Sequence, residues 1–194
     1  INITRRLQSV TFFSLKYIAG ELLQAAIDLV KNLNKKAILA TIDVLGESIT
    51  TKEEVLRAKS ECLTVLDAIK ENNLGANLSI KPASLGLNID PEFAYEQIKE
   101  LVVKAKEYNN FVRMDMEDSP CTTSTIEVFK RLRSEFDNVG IVLQSYLKRT
   151  CDDITELNAI GSNYRLCKGI YVEPAEIAYK DKQAVRDNYM KGLE

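Results

Sequence analysis

Short apolar segments alternate along this chain with longer amphipathic segments, and this order constrains the fold more than any other feature of the sequence. The distance from one apolar segment to the next is roughly 25 to 40 residues, as expected when each strand is followed by a helix. Such alternation predicts βα units, and therefore a parallel sheet with helices packed against it. The predicted strands cover residues 37–43, 77–81, 111–116, 139–144 and 165–170.

Capping residues mark several of the predicted helix starts. Thr51 can accept a hydrogen bond from the backbone while Glu54 reaches back to it, which forms a capping box. Asp90 followed by Pro91 combines a preferred cap with the residue best suited to the first helical position. The two other predicted starts are Ser124, with Glu127 three residues later, and Asp181.

The absence of a phosphate loop and the number of βα units distinguish a Rossmann fold from a (β/α)8 barrel. No glycine-rich phosphate loop follows the first predicted strand, so a Rossmann fold lacks its fingerprint. A (β/α)8 barrel fits better, although a whole barrel usually needs about 250 residues and this chain has 194. The prediction is an α/β fold of the TIM-barrel type, incomplete in this chain. About five βα units occupy residues 19–194, after an N-terminal helical segment at 1–18.

The amino-acid composition excludes several kinds of active site and partner. The chain has no His, which removes Ser-His-Asp triads, imidazole bases and most zinc sites. The four Cys show no CxxC spacing and indicate reduced thiols in a cytoplasmic compartment. The 26 basic and 28 acidic residues are interspersed, which argues against a nucleic-acid partner. No apolar run approaches the roughly 18 residues of a spanning helix. We expect no metal, because only carboxylates remain as ligands, and Asp115, Glu117 and Asp118 alternate between faces instead of converging.

Each predicted strand carries a polar or charged residue near one end, where a purely structural parallel strand is apolar. Because strand side chains alternate between faces, residues of one parity would converge at the mouth of a barrel. Burying several of these charges costs several kcal/mol per ion unless they pair or meet a charged ligand, such as a zwitterionic or anionic small molecule. The alternative is that they are solvated charges in ordinary salt bridges. The residues are Asp43, Lys81, Asp115, Gln144 and Arg165.

Five stretches in the right order resemble the proline dehydrogenase family, the flavin-dependent (β/α)8 barrels of proline catabolism. The resemblance implies oxidation of L-proline to pyrroline-5-carboxylate, with hydride transfer from the ring carbon beside nitrogen to FAD. It also implies a quinone as electron acceptor and peripheral contact with a membrane. The stretches are YIAGE at 17–21, ATIDVLGE at 40–47, RMDMEDS at 113–119, VGIVLQSYLKRT at 139–150 and RLCKGIYVEP at 165–174.

The resemblance also implies roles for individual residues. Asp115 and Arg165 match the active-site aspartate and arginine of the family, and Lys81 matches the lysine that helps to hold the substrate carboxylate. Asp115 is expected to orient the amine of proline and not to act as the base. The positions that match flavin contacts are Met116, Gln144, Lys168, Gly169 and Ile170.

The chain departs from the family at several positions. Ile170 stands where Ala is usual, and its larger side chain could crowd the flavin. Glu47 could pair with a cation across the mouth, but a solvated loop carboxylate is the favoured interpretation. The resemblance stops after the fifth strand, whereas the family takes the rest of its FAD site and an arginine pair from later strands. The other departures are Pro82 for Leu, Met114 for Ile and Cys167 for Val.

Three other functions are compatible with the residues. The first is an inactive fragment that keeps the strands but binds no flavin, and the second is a non-catalytic binding module for a small molecule. The third is a Schiff-base aldolase that uses Lys81 or Lys168. Five strands would also leave two open edges and expose inner side chains such as Val142. The isolated chain is therefore expected to bind FAD weakly or not at all, and to self-associate or pair with the missing strands.

Overall fold

A five-stranded, entirely parallel sheet forms the centre of the structure, a computed structural model that describes residues 23–44 and 49–194. The strands lie side by side in sequence order, so each βα unit adds one neighbouring strand. This order is that of successive units in a barrel wall. The strands are β1 (Ala40–Asp43), β2 (Ala76–Ile80), β3 (Val112–Met114), β4 (Val139–Gln144) and β5 (Asn163–Cys167).

Helices connect the strands and cover one face of the sheet. Apolar residues of one parity, such as Leu78, Met114 and Ile141, are fully or almost fully buried beneath these helices. Residues of the other parity, including Ser79, Arg113 and Arg165, form the opposite face. The helices are α1 (Leu23–Asn34), α2 (Lys52–Glu71), α3 (Pro91–Glu107), α4 (Ser119–Glu135), α5 (Thr150–Asn158) and α6 (Lys182–Lys191), with a 3-10 turn at Pro82–Leu85.

The local helix signals hold where the cap is built from neighbouring residues. Thr51 and Glu54 form the predicted capping box at α2. Asp90 accepts from two backbone amides at the start of α3, with Pro91 in the first turn. Asp181 accepts from the amide of Ala184 and caps α6. The two predicted caps and the predicted helix start near Asp181 are confirmed, because each is decided within one turn.

Several element boundaries were predicted wrongly. Strand β1 begins at Ala40 and not at 37, and β3 covers Val112–Met114 and not 111–116. Two further errors have a clear physical cause. Helix α4 begins at Ser119 and not after Ser124, because its first amide bonds to a carboxylate from a distant loop. Strand β5 ends at Cys167 and not at Ile170, because Gly169 has a φ of 98° and turns the chain out of the strand. The N-terminal segment at 1–18 and Glu47 lie outside the described residues.

Candidate active site

A carboxylate and a guanidinium meet across the open face of the sheet. Arg165 Nη2 on β5 donates to Asp115 Oδ1, just beyond β3, over 2.9 Å. The same carboxylate oxygen accepts from Ser79 Oγ at 2.8 Å. Asp115 is held in the sheet by its own amide, which donates to the carbonyl of Ile80. The two residues expected to be catalytic are thus joined directly, with a serine hydroxyl as the third member.

The Asp115–Arg165 bridge spans β4 and covers it. In the sheet register Arg165 lies beside Val142, and the bridge from β3 to β5 passes over that residue. Val142 is therefore only 3% exposed. The expectation that its side chain would face water is wrong, because long polar side chains lie flat over the inner face and cover it.

Lys81 lies at the same end of the sheet but pairs with a different carboxylate. Its Nζ bonds to Asp43 Oδ2 at the end of β1, and both side chains are about three-quarters buried. Burial raises the pKa of Asp43, and the contact with Lys81 opposes this shift. Asp43 Oδ1 is buried and has no hydrogen-bond partner among the described residues. The mouth thus holds two ion pairs side by side, one on β1 and β2 and the other on β3 and β5.

A second arginine lies one layer below the first bridge. Arg113 Nη2 donates to Asn163 Oδ1 at 2.7 Å, and so also crosses from β3 to β5. It passes over Gly140, where a Cβ atom would lie 2.5 Å from Arg113 Nη1. The pKa of Arg113 is lowered mainly by burial, and the nearby positive charge of Arg165 lowers it further. Glycine at position 140 therefore makes room for the guanidinium that supports the mouth from below.

The residues expected to contact a cofactor are divided between the core and the surface. Gln144 is buried at the end of β4, where its Nε2 donates to the carbonyl of Met116 at 2.9 Å. Its Oε1 is buried without a partner in the described structure. The Met116 side chain lies in the core, so its contribution to the mouth is this carbonyl. Lys168 and Ile170 are exposed on the loop after β5, on either side of Gly169.

Several contributing residues were not found from the sequence. Glu117 Oε2 accepts from the amide of Ala83 at 2.8 Å and fixes the turn that follows Lys81. Tyr146 packs its ring against Gly169, where a Cβ would lie 2.0 Å from the ring. Glu173 is buried against the start of α4. These contacts join residues 23 to 54 positions apart, so no local spacing could indicate them.

The described residues contain no group of three His, Cys, Asp or Glu side chains close enough together to hold a metal ion. Nor does any helix within residues 23–44 and 49–194 combine the length and apolar character required to cross a bilayer.

Comparison with solved structures places the fold. The chain superposes on proline utilization A from Bdellovibrio bacteriovorus with a TM-score of 0.81, covering 90% of this chain and 23% of that one at 21% identity. Proline utilization A from Bradyrhizobium japonicum gives a TM-score of 0.68, with 88% of this chain and 21% of that one covered at 17% identity. The predicted α/β fold of the TIM-barrel type is confirmed.

Comparison of sequences gives the family. Proline dehydrogenase 1 of Bacillus subtilis is 35% identical over 168 residues, covering 87% of this chain and 56% of that protein. Proline dehydrogenase of Deinococcus radiodurans is 34% identical, with 91% of this chain and 58% of that protein covered. The chain thus spans somewhat more than half the length of these relatives. A family profile described as proline dehydrogenase matches residues 26–185, and the chain therefore belongs to the proline dehydrogenase family.

Proposed function

We propose that the full-length protein carrying this chain oxidises L-proline to pyrroline-5-carboxylate with a bound FAD. The observation that carries the proposal is the pairing of Asp115 with Arg165 beside the Lys81–Asp43 pair, at the carboxyl end of parallel strands. Active sites of barrel enzymes lie at this end. The arrangement offers both charges that a zwitterionic amino acid requires.

Each charged side chain has a distinct proposed task. Lys81 binds the substrate carboxylate, since an ammonium at the mouth can turn from Asp43 to a second carboxylate. Asp115 accepts a hydrogen bond from the ring nitrogen and orients it, while Arg165 fixes the carboxylate of Asp115. Ser79 holds the same carboxylate oxygen from β2. The proline ring would in this way be held at both its carboxylate and its nitrogen.

The residues fit a flavin at the end of β4. The buried Oε1 of Gln144 lacks a donor, and leaving such an atom unpaired costs about 1–3 kcal/mol, so a ligand N–H there is favoured. Gly169 lets the loop backbone lie against the Tyr146 ring, because a Cβ at this position would lie 2.0 Å from that ring. Gln144, the carbonyl of Met116 and the run Lys168, Gly169 and Ile170 are the proposed holders. When bound, FAD supplies the two-electron acceptor. The family resemblance adds a quinone as the final acceptor, reached by peripheral contact with a membrane.

The test is proline-dependent reduction of an artificial dye by the full-length protein, together with its visible flavin absorbance. We expect a flavin spectrum that bleaches with L-proline and not with pyrrolidine, which lacks the carboxylate that Lys81 binds. Lys81→Met should raise KM for proline about 10- to 100-fold, because it removes one charged hydrogen bond. Lys59→Met, which removes a lysine paired with Glu100 on the helical side, is the matched control. A protein that is colourless with added FAD, or inert to proline, would refute the proposal.

A further inference from the structure

We propose that Glu173 is a positioning residue, whose buried carboxylate clamps the mouth loop, defined as residues 168–172, to the amino end of α4. Glu173 Oε1 accepts from the backbone amide of Ser119 at 2.7 Å, and Oε2 accepts from Ser119 Oγ at 2.6 Å. Glu173 itself is only 6% exposed. Both carboxylate oxygens are therefore occupied by one residue, which lies 54 positions away in the sequence.

The bond to Ser119 completes an unusual helix start. Asp118 occupies the cap position of α4, but its side chain accepts no capping hydrogen bond. The carboxylate of Glu173 takes that place and lies at the positive end of a helix of 17 residues. Charge, helix dipole and two short hydrogen bonds act in the same direction here. The contact is therefore stronger than an ordinary surface bridge.

The clamp joins the two sequence stretches that also carry the proposed catalytic pair. The stretch 113–119 contributes Asp115 and Ser119, and the stretch 165–174 contributes Arg165 and Glu173. The stretches touch first at Asp115–Arg165 and again at Ser119–Glu173. Two ties between the same pair of segments fix both the separation and the orientation of the loop between them.

The mouth loop has little other support between these ties. At its first residue, the carbonyl of Lys168 accepts from the amide of Tyr146 at 2.9 Å. After it, Lys180 Nζ contacts the carbonyl of Glu173. Within the described part of the chain, residues 170–172 take part in none of the backbone hydrogen bonds, and the side chains of Ile170 and Val172 are 85% and 98% exposed. Few buried contacts hold this loop, so its position depends on the tie at Glu173.

The inference deepens the proposed function and rests on it in one respect: the loop carries Lys168, Gly169 and Ile170, which are proposed to hold the flavin. If Glu173 were released, these residues would have to be ordered when FAD binds. The entropy of ordering the loop would then be subtracted from the binding free energy. Loss of the clamp should therefore weaken FAD binding without removing any side chain that touches it.

Chymotrypsin cleavage after Tyr171 tests the clamp directly in the 194-residue chain, without flavin. Cleavage requires the loop to open, so its rate measures the open population. Glu173→Gln should raise this rate at least about tenfold, equivalent to about 1.4 kcal/mol. Ser119→Ala removes one of the two bonds and should give a smaller increase. Residue 173 lies close to the cleavage site, so its replacement could change the intrinsic rate of cleavage. The rate at which synthetic peptides of residues 166–178, with Glu or Gln at 173, are cut after Tyr171 corrects for this effect. Asp90→Ala, which removes the cap of α3, is the matched control and should leave this rate unchanged.

The outcomes separate the clamp from the proposed function. Wild-type cleavage rates in both Glu173→Gln and Ser119→Ala would overturn the clamp. Should Glu173→Gln unfold the whole chain, seen as cuts after Tyr95 and Tyr108 in and beside α3, Ser119→Ala alone decides. In the full-length protein we expect Glu173→Gln to weaken FAD binding several-fold, measured by quenching of flavin fluorescence. Unchanged FAD affinity would overturn the link between clamp and cofactor. A wild-type protein that binds no FAD would refute the proposed function, while the cleavage result still decides the clamp.

Discussion

At the scale of single residues, the Asp115 carboxylate accepts hydrogen bonds from two side chains at the mouth. Asp115→Asn keeps the shape but removes the charge that Arg165 and Ser79 hold. We expect turnover with proline to fall about 100-fold in the full-length protein, because misplacement of an orienting group costs about that much. Steady-state kinetics with a dye acceptor measures it. The control is Asp153→Asn, which changes a carboxylate on α5 that is paired with Arg149. Wild-type turnover in Asp115→Asn would refute the assignment.

Gly140 is a position in β4 where the structure leaves no room for a Cβ atom. A Cβ there would lie 2.6 Å from Phe111 Cζ and 2.7 Å from the carbonyl oxygen of Asn163. Backbone cannot move as a flexible side chain can, so Gly140→Ala should lower the free energy of unfolding by about 1–3 kcal/mol. Urea denaturation measures it. Gly75→Ala is the control, because its Cβ would meet only side-chain atoms of Asn34 and Leu39, at 3.2 Å. Equal losses in the two variants would contradict the crowding at Gly140.

Because two of its thiols are buried, we expect the folded chain to lose stability at alkaline pH. Burial raises the pKa of Cys62 and of Cys121 from 9.0 to about 12. The folded chain therefore keeps protons that the unfolded chain loses, so stability is complete below pH 9 and falls as the pH rises towards 12. Cys62→Ala removes one of the two protons that are lost on unfolding. The free energy of unfolding should therefore fall with pH less steeply, by about 1.4 kcal/mol per pH unit. Denaturant titrations from pH 8 to 11 measure it. Cys151→Ala is the control, and an unchanged slope in Cys62→Ala would contradict the prediction.

At the scale of elements, helix α2 depends on a cap made entirely from its own residues. Thr51 accepts from the amide of Glu54, and the Glu54 carboxylate accepts from the amides of Thr50 and Thr51. Thr51→Ala should therefore lower the free energy of unfolding by about 1 kcal/mol. Asp118→Ala at the cap of α4 should cost less, because Asp118 makes no capping bond. Urea denaturation of both variants decides, and the reverse order would contradict the structure.

The same contrast explains how much of the fold could be predicted. The caps at Thr51 and Asp90 and the helix start near Asp181 were predicted correctly because each is decided within one turn. The start of α4 was not, because Glu173 reaches it from another βα unit. Strand parity likewise indicated which side chains share the mouth. It could not indicate that Lys81 would pair with Asp43 and not with Asp115, since the pairing depends on distances between strands that only the folded sheet sets.

At the scale of the whole molecule, the described part of the sheet has two unpaired edges and one face that none of the described helices covers. In the described residues β1 and β5 each have one neighbour, so their outer backbone groups are available for pairing. Exposed apolar side chains lie near both edges, at Leu39 just before β1 and at Ile170 and Val172 after β5. Edges and apolar residues of this kind favour association.

The 194-residue chain on its own should therefore associate in a concentration-dependent way and hold little FAD. Sedimentation velocity with detection at flavin wavelengths measures both properties at once. Leu39→Lys combined with Val172→Lys should weaken association, because charge at an edge opposes pairing. Leu56→Lys, on an exposed part of α2 away from the sheet edges, should leave it unchanged. A monomer of 21.9 kDa that binds FAD tightly and oxidises proline would show that five strands suffice for the site. It would then follow that the two ion pairs and the clamped loop form a functional unit without further strands.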